Sequence, residues 1–143
     1  MYQEFQSAMS TYGPLKYNTK QFEYLGMEME QLDDHSVKVS MSKMTNKILN
    51  RRSIVTTSSN PSSSYLFTNN DGNAEFSANA NDFKSKTYEL MYLDKIRIDI
   101  KKKCNELASL SNIPGDHSYK KLKKVYSFLN EQKMITLFLA QTI

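Results

Sequence analysis

The chain has no tryptophan, one cysteine, three prolines and four glycines in 143 residues. Each scarcity excludes a class. A single cysteine builds neither a disulfide scaffold nor a cysteine-based zinc site. So few glycines and prolines exclude collagen-like, glycine-linker and proline-rich chains. No window approaches the roughly 18 consecutive apolar residues of a membrane span. The opening Met1-Tyr2-Gln3-Glu4-Phe5 carries neither the basic start nor the apolar stretch of a secretory signal. The expectation is an intracellular chain, cytoplasmic or nuclear, with no membrane partner. A Gly-rich phosphate loop, a Ser/His/Asp order and a zinc signature are also missing, so the sequence holds no self-sufficient catalytic set.

What is present is a basic surplus in one half. The net charge is +4. Residues 1–83 hold 7 Lys and Arg against 9 Asp and Glu, whereas residues 84–143 hold 12 against 6. Lys101-Lys102-Lys103, Lys120-Lys121 and Lys123-Lys124 dominate the second half. A basic face attracts phosphates by releasing condensed counterions. A solvated helix face is the competing and commoner reading of such runs.

Four zones follow from patterning. Phe5, Ala8, Met9 and Tyr12 have helical spacing, and Gly13-Pro14 ends that segment, because proline pushes its predecessor out of the α region. Residues 23–29 and 37–41 alternate with the period of two of half-buried strands, with Leu25, Met27 and Met29 on one face and Val37, Val39 and Met41 on the other strand's equivalent. The polar stretch 30–36 is the turn between them, and a short helix follows near Ser42–Arg51 through Met44, Ile48 and Leu49. In residues 56–82, fifteen of 27 are Ser, Thr or Asn and none is Lys or Arg. Such a stretch buries too little to offset ordering entropy and reads as a mobile loop, with only Tyr65-Leu66-Phe67 apolar enough to dock. The remainder is helical: Asp82 as N-cap of a helix through Phe83, Leu90, Met91 and Leu93, continuation through Ile96, Ile100, Cys104 and Leu107, a break at Asn112-Ile113-Pro114-Gly115, then Ser118 capping a helix with Tyr119, Leu122, Val125, Tyr126 and Leu129 on one side. The predicted class is α+β: a small antiparallel hairpin with helices, then a helical half. The divisions fall at 1–53, 54–82 and 83–143.

Asp33-Asp34 is the most tempting chemical pair, since adjacent carboxylates can hold the two metal ions of a polymerase. Aspartates in a polar turn are also common for turn reasons alone. His35 and His117 have no second ligand at metal spacing, and Cys104 lies on an apolar helix face as a buried thiol would.

The order of the motifs is more telling than any one of them. Tyr12-Gly13-Pro14-Leu15-Lys16, Tyr24-Leu25-Gly26-Met27-Glu28-Met29, Val37 to Met41, Ile48-Leu49, Asn60-Pro61 before Leu66-Phe67, Leu90-Met91-Tyr92-Leu93 before Arg97-Ile98-Asp99-Ile100, and Tyr119-Lys120-Lys121-Leu122-Lys123-Lys124-Val125-Tyr126-Ser127-Phe128-Leu129-Asn130 follow one another in the chain. This series resembles the reverse transcriptase of copia-type retrotransposons over nearly the whole length. Ile98 replaces the proline of the family's Arg-Pro-Asp-Ile, Lys95-Ile96 its Lys-Arg, and Tyr119 its tryptophan.

The resemblance implies the end of the palm, a primer grip over residues 24–41, and a thumb with its connection. It places the catalytic aspartates upstream of the matched region and a ribonuclease H domain near its end, so Asp33-Asp34 is not the catalytic pair. The implied function is a fragment of an RNA-directed DNA polymerase that binds primer–template duplex of RNA or DNA without catalysing extension. The missing palm and ribonuclease H parts are implied partners. No cofactor belongs to the fragment, although a divalent metal such as Mg belongs to the full polymerase. Leu25, Gly26 and Met27 are the implied primer-grip contacts, and Lys95, Arg97, Lys123 and Lys124 the phosphate contacts. The alternative is a non-catalytic interaction protein, domesticated or truncated, that self-associates through apolar surface the palm once covered, such as Leu25, Met27 and Met29.

Overall fold

The structure, a computed structural model, describes Ser7 and residues 20–61, 79–133 and 135–139. Of the helix expected over residues 1–12 only Ser7, which is helical, is described, and the Gly13-Pro14 break and the docking run Tyr65-Leu66-Phe67 lie outside the described residues. In chain order the elements are β1 (Gln21–Tyr24), β2 (Met27–Gln31), β3 (Val37–Ser40), α1 (Ser42–Arg51), α2 (Ala80–Leu93), α3 (Ile98–Ser109), α4 (Asp116–Glu131) and β4 (Thr136–Leu139). The class is α+β: an antiparallel sheet of order β1-β2-β3-β4 with the four helices.

The expected hairpin is therefore two hairpins and a returning strand. Residues 23–29 are not one strand. Tyr24 pairs with Met27, so Leu25-Gly26 is a two-residue corner between β1 and β2. Leu25 has φ 50° and Gly26 φ 72°, the two positive values of a type I′ turn, which matches the twist of its strands. The alternation misled because Leu25, Met27 and Met29 continue a period of two straight through the corner. The second hairpin turns at residues 32–36, where the Asp34 carboxylate accepts from the Ser36 backbone N–H at 2.9 Å and hydroxyl at 2.6 Å. Those bonds, the hydroxyl's first, hold Asp34 below its ordinary pKa. Asp33-Asp34 thus shapes a turn.

The sheet has two unlike faces. Phe22, Met29, Val39 and Leu137 form one cross-strand row, with Met29, Val39 and Leu137 against the helices. The opposite face holds Gln21, Glu30 and Lys38 in one row and Glu23, Glu28 and Ser40 in another. There Gln21 donates to Glu30 at 2.9 Å and the Ser40 hydroxyl to Glu28 at 3.0 Å. β4 draws on the chain's last apolar run, since Thr136, Leu137 and Phe138 suit a pleated surface.

One core cluster draws on both halves of the chain: Val39, Met41, Ile48 and Leu49 pack with Phe83, Leu90, Leu93, Ile100, Cys104, Leu107, Leu122, Val125 and Leu129. α1 ends in a Schellman arrangement, with the Ser53 N–H on the Asn50 carbonyl and the Ile54 N–H on that of Leu49. Ser53 takes the left-handed position (φ 52°) that glycine usually fills. The following strip is tied to α4 by Thr56 with Ser127 (2.6 Å) and by Asn130 to the Thr56 carbonyl (3.1 Å). The chain breaks between α2 and α3 with Ile98, not a proline, at the start of α3. Turning there brings Ile100, Cys104 and Leu107 onto the same core as Leu90 and Leu93.

Two caps differ from expectation. α2 starts at Ala80 after Asn79, so Asp82 stands in the first turn, where it receives Lys86 at 2.6 Å. α4 starts after extended Gly115, and Ser118 lies inside it, buried, its hydroxyl without a partner. His117 accordingly belongs to α4 rather than to a turn. Among the described residues no helix is long and apolar enough to cross a membrane.

Candidate nucleic-acid interface

The hairpin tip is where three predicted residues gather. A type I′ corner needs positive φ at both positions, which glycine adopts freely and leucine does not. Leu25 is held there by the Tyr92 hydroxyl of α2, which donates to its carbonyl. Gly26 is backed by α1 and α2: a Cβ there would stand 2.9 Å from the Met44 terminal methyl and 3.5 Å from the Tyr92 hydroxyl. Leu25 is 61% exposed, whereas Met27 and Met29 are half-buried against the core. The apolar surface expected at all three positions is thus confined to Leu25. Lys95 belongs to the same locality, its ammonium 4.9 Å from the centroid of the Tyr92 ring.

Arg97 does not join them. It is 2% exposed, with Nε and Nη2 donating to the two Asp99 oxygens at 3.0 and 2.8 Å and Nη1 to the Gln132 carbonyl at 2.6 Å. The guanidinium locks the α2–α3 corner to the end of α4 and is no exposed phosphate contact. Sequence reasoning missed this because a formal charge carries no address. The available signal was Asp99 two residues away, at a spacing a side-chain fork can span.

The lysines of α4 also divide. Lys121 is buried and paired with Glu106 at 3.1 Å, and Lys103 meets the same carboxylate at 3.0 Å. Burial pushes Glu106 up, but the hydrogen bonds and charges of Lys103 and Lys121 bring it below its ordinary value. Lys123 is exposed on the rim of a cleft of about 400 Å³ formed by residues 52–56, Lys86, Tyr119, Leu122 and Tyr126. Lys124 is half-buried. Neither shares the hairpin-tip locality.

A feature the sequence reading passed over lies on α2. Asn81, Lys84, Ser85, Tyr88, Glu89 and Tyr92 line one shallow groove, and Tyr88 is 61% exposed. The signal was the four-residue step from Lys84 to Tyr88 to Tyr92, which stacks side chains on one helix face. Glu89 is occupied from the other side by Arg52 at 2.9 Å, Arg51 at 3.2 Å and the Tyr126 hydroxyl at 3.2 Å. Burial, with Glu89 beside it, pushes Tyr126 well above the usual phenol range.

Among the described residues no group of three His, Cys, Asp or Glu is placed to hold a metal ion. Asp33, which pairs with exposed Lys20 at 3.4 Å, and the turn-forming Asp34 do not fit a two-metal site. Cys104 is fully buried, and that burial pushes its thiol up to about 12, Asp94 and Asp99 adding to the shift, so it is no nucleophile.

No protein-family model, no curated protein and no solved structure matches the chain. The functional reading therefore stands on residues and geometry.

Proposed function

We propose that the chain is the primer-grip and thumb part of a copia-type reverse transcriptase, a non-catalytic piece that holds primer–template duplex. One observation carries the reading: the Leu25-Gly26 corner, seated on Tyr92, puts an exposed backbone turn and the Lys95 cation at one place. Gly26, positive in φ and packed on Met44 and Tyr92, holds the turn so that the exposed backbone beside Leu25 faces outward, and lysine supplies phosphate contact without reading sequence. Lys123 and Lys124 extend the basic surface on α4, whereas Arg97 acts inside the fold. The divalent metal of a full polymerase would be held by carboxylates outside this chain.

Retention of a primer–template duplex at rising salt tests the proposal. With about three phosphate contacts, affinity should fall roughly fortyfold between 50 and 200 mM salt. Lys95→Gln should lower the salt slope by about one. Undetectable binding at low salt would end the reading.

A second reading, association through apolar surface, is favoured by Phe22 and Tyr24, 41% and 58% exposed on edge strand β1. Exposed apolar edges favour pairing with another chain. Sedimentation velocity should then show concentration-dependent dimers that Tyr24→Lys abolishes, and a monomer at all concentrations would remove this reading.

A further inference from the structure

We infer that the outer face of α2 is a stacking platform for single-stranded nucleic acid. The inference rests on the nucleic-acid reading above and narrows it to an unpaired strand at a named surface. Tyr88 and Tyr92 stand one turn apart, about 6 Å along the helix axis. Both line the same groove, with Lys84 at one end and Lys95 beyond the other, its ammonium already 4.9 Å from the Tyr92 centroid.

The exposure of Tyr88 is the unexplained feature. A tyrosine ring left 61% in water on a helix whose other aromatics are packed does nothing for the core. Phe83 of the same helix is fully buried, and Tyr92 is tied to the hairpin tip through its hydroxyl.

The electrostatics favour an anionic occupant. Neither Lys84 nor Lys95 forms an ion pair among the described residues, Asp94 interacting with Lys95, and also with Lys101, only through space. Glu89, the groove's carboxylate, is held by Arg52 and Arg51. Asp82 is held by Lys86 and Arg52. An exposed aromatic face such as that of Tyr88, with cations on either side, binds unpaired bases by stacking and their phosphates by charge, with little sequence preference. A duplex, whose bases are already stacked on one another, has no use for the Tyr88 face.

The test is fluorescence anisotropy of the whole chain against three probes: an oligothymidine of about 12 nucleotides, an abasic strand of the same length, and the primer–template duplex. Tyr88→Ala should weaken oligothymidine binding roughly tenfold and leave duplex retention unchanged. Tyr88→Phe, which keeps the face, should bind as the parent does. The abasic strand should bind the parent about as weakly as oligothymidine binds Tyr88→Ala. Because Tyr88 is exposed, circular dichroism of Tyr88→Ala should match the parent. Equal affinity of Tyr88→Ala and parent for oligothymidine, or equal affinity of abasic and normal strands, overturns the platform. Loss of duplex retention with Tyr88-dependent oligothymidine binding intact would support the platform and remove only the duplex grip.

Discussion

Asp99→Ala is expected to destabilise the fold by about 3 kcal/mol in urea unfolding. The reason is what the substitution leaves behind. Arg97 stays in place, 2% exposed, with the Gln132 carbonyl as its one remaining hydrogen-bond acceptor. A buried guanidinium without its carboxylate loses two charge-assisted hydrogen bonds and cannot recover its hydration. Arg97→Met should cost less, because it removes the buried charge and leaves Asp99, with its side chain 28% exposed, to water. The double variant should be no less stable than Asp99→Ala alone, the non-additivity that marks a coupled pair. A loss under about 1 kcal/mol for Asp99→Ala would mean that the guanidinium reaches solvent, and that the corner is not locked as described. The loss should be nearly independent of salt, unlike the surface binding above, since buried pairs are weakly screened.

The second large effect is expected at Phe83. Its ring is fully buried and meets Tyr119 edge-on, with centroids 5.2 Å apart and planes at 74°. Tyr119 is fixed in turn by its hydroxyl on the Asn79 carbonyl at 2.8 Å. Together they join the first turns of α2 and α4. Phe83→Ala should cost about 3–5 kcal/mol, combining lost transfer energy with the cavity left behind and including the aromatic pair. Phe83→Leu should recover more than half, because it refills most of the space. If Phe83→Ala cost under about 1.5 kcal/mol, the start of α2 would be collapsing into the gap, and its role as an anchor would be wrong. Either large loss is a sizeable fraction of the 5–15 kcal/mol typical of a domain, so both variants belong in stability assays before any binding assay.

The two anchors matter to the proposed interface because α2 would carry it. Phe83 and Leu90 bury one side of that helix, Tyr88 faces water, and half-buried Tyr92 packs against the core while lining the same groove. The Arg97–Asp99 lock sets where α2 ends, and so where Lys95 emerges beside the hairpin tip. A loosened corner would move Lys95 relative to Leu25-Gly26 without touching either.

Local pattern was a good guide wherever a local rule decided. The period of two found β3, and only part of β2, which runs to Gln31 into the stretch read as turn, and α1 runs over Ser42–Arg51, the span that Met44, Ile48 and Leu49 marked. The Asn112–Gly115 break separates α3 from α4, because proline and glycine stop helices whatever surrounds them. Cys104 lies on the core face that its apolar neighbours implied. Both caps were misplaced by three residues, since Asp82 and Ser118 are good capping residues that here sit inside helices. The corner at Leu25-Gly26 was missed because its sequence lacks the Asn-Gly or Asp-Gly signal and preserves the alternation on both sides.

By itself, then, the sequence determined the α+β class, the helices of residues 80–131, the helix break and the concentration of positive charge after residue 83, but not that the stretch read as helical to the end returns as strand β4. Those follow from periodicity, breakers and composition, which act over a few residues. Only the tertiary structure decided which charges face water. Arg97 and Lys121 are drawn inside by Asp99, Gln132 and Glu106, whereas Lys95 and Lys123 stay outside. Burial is a property of neighbours distant in sequence. A cation's neighbours are chosen by how α2, α3 and α4 pack, so an even run of basic residues separates into structural locks and free contacts only once the core has closed.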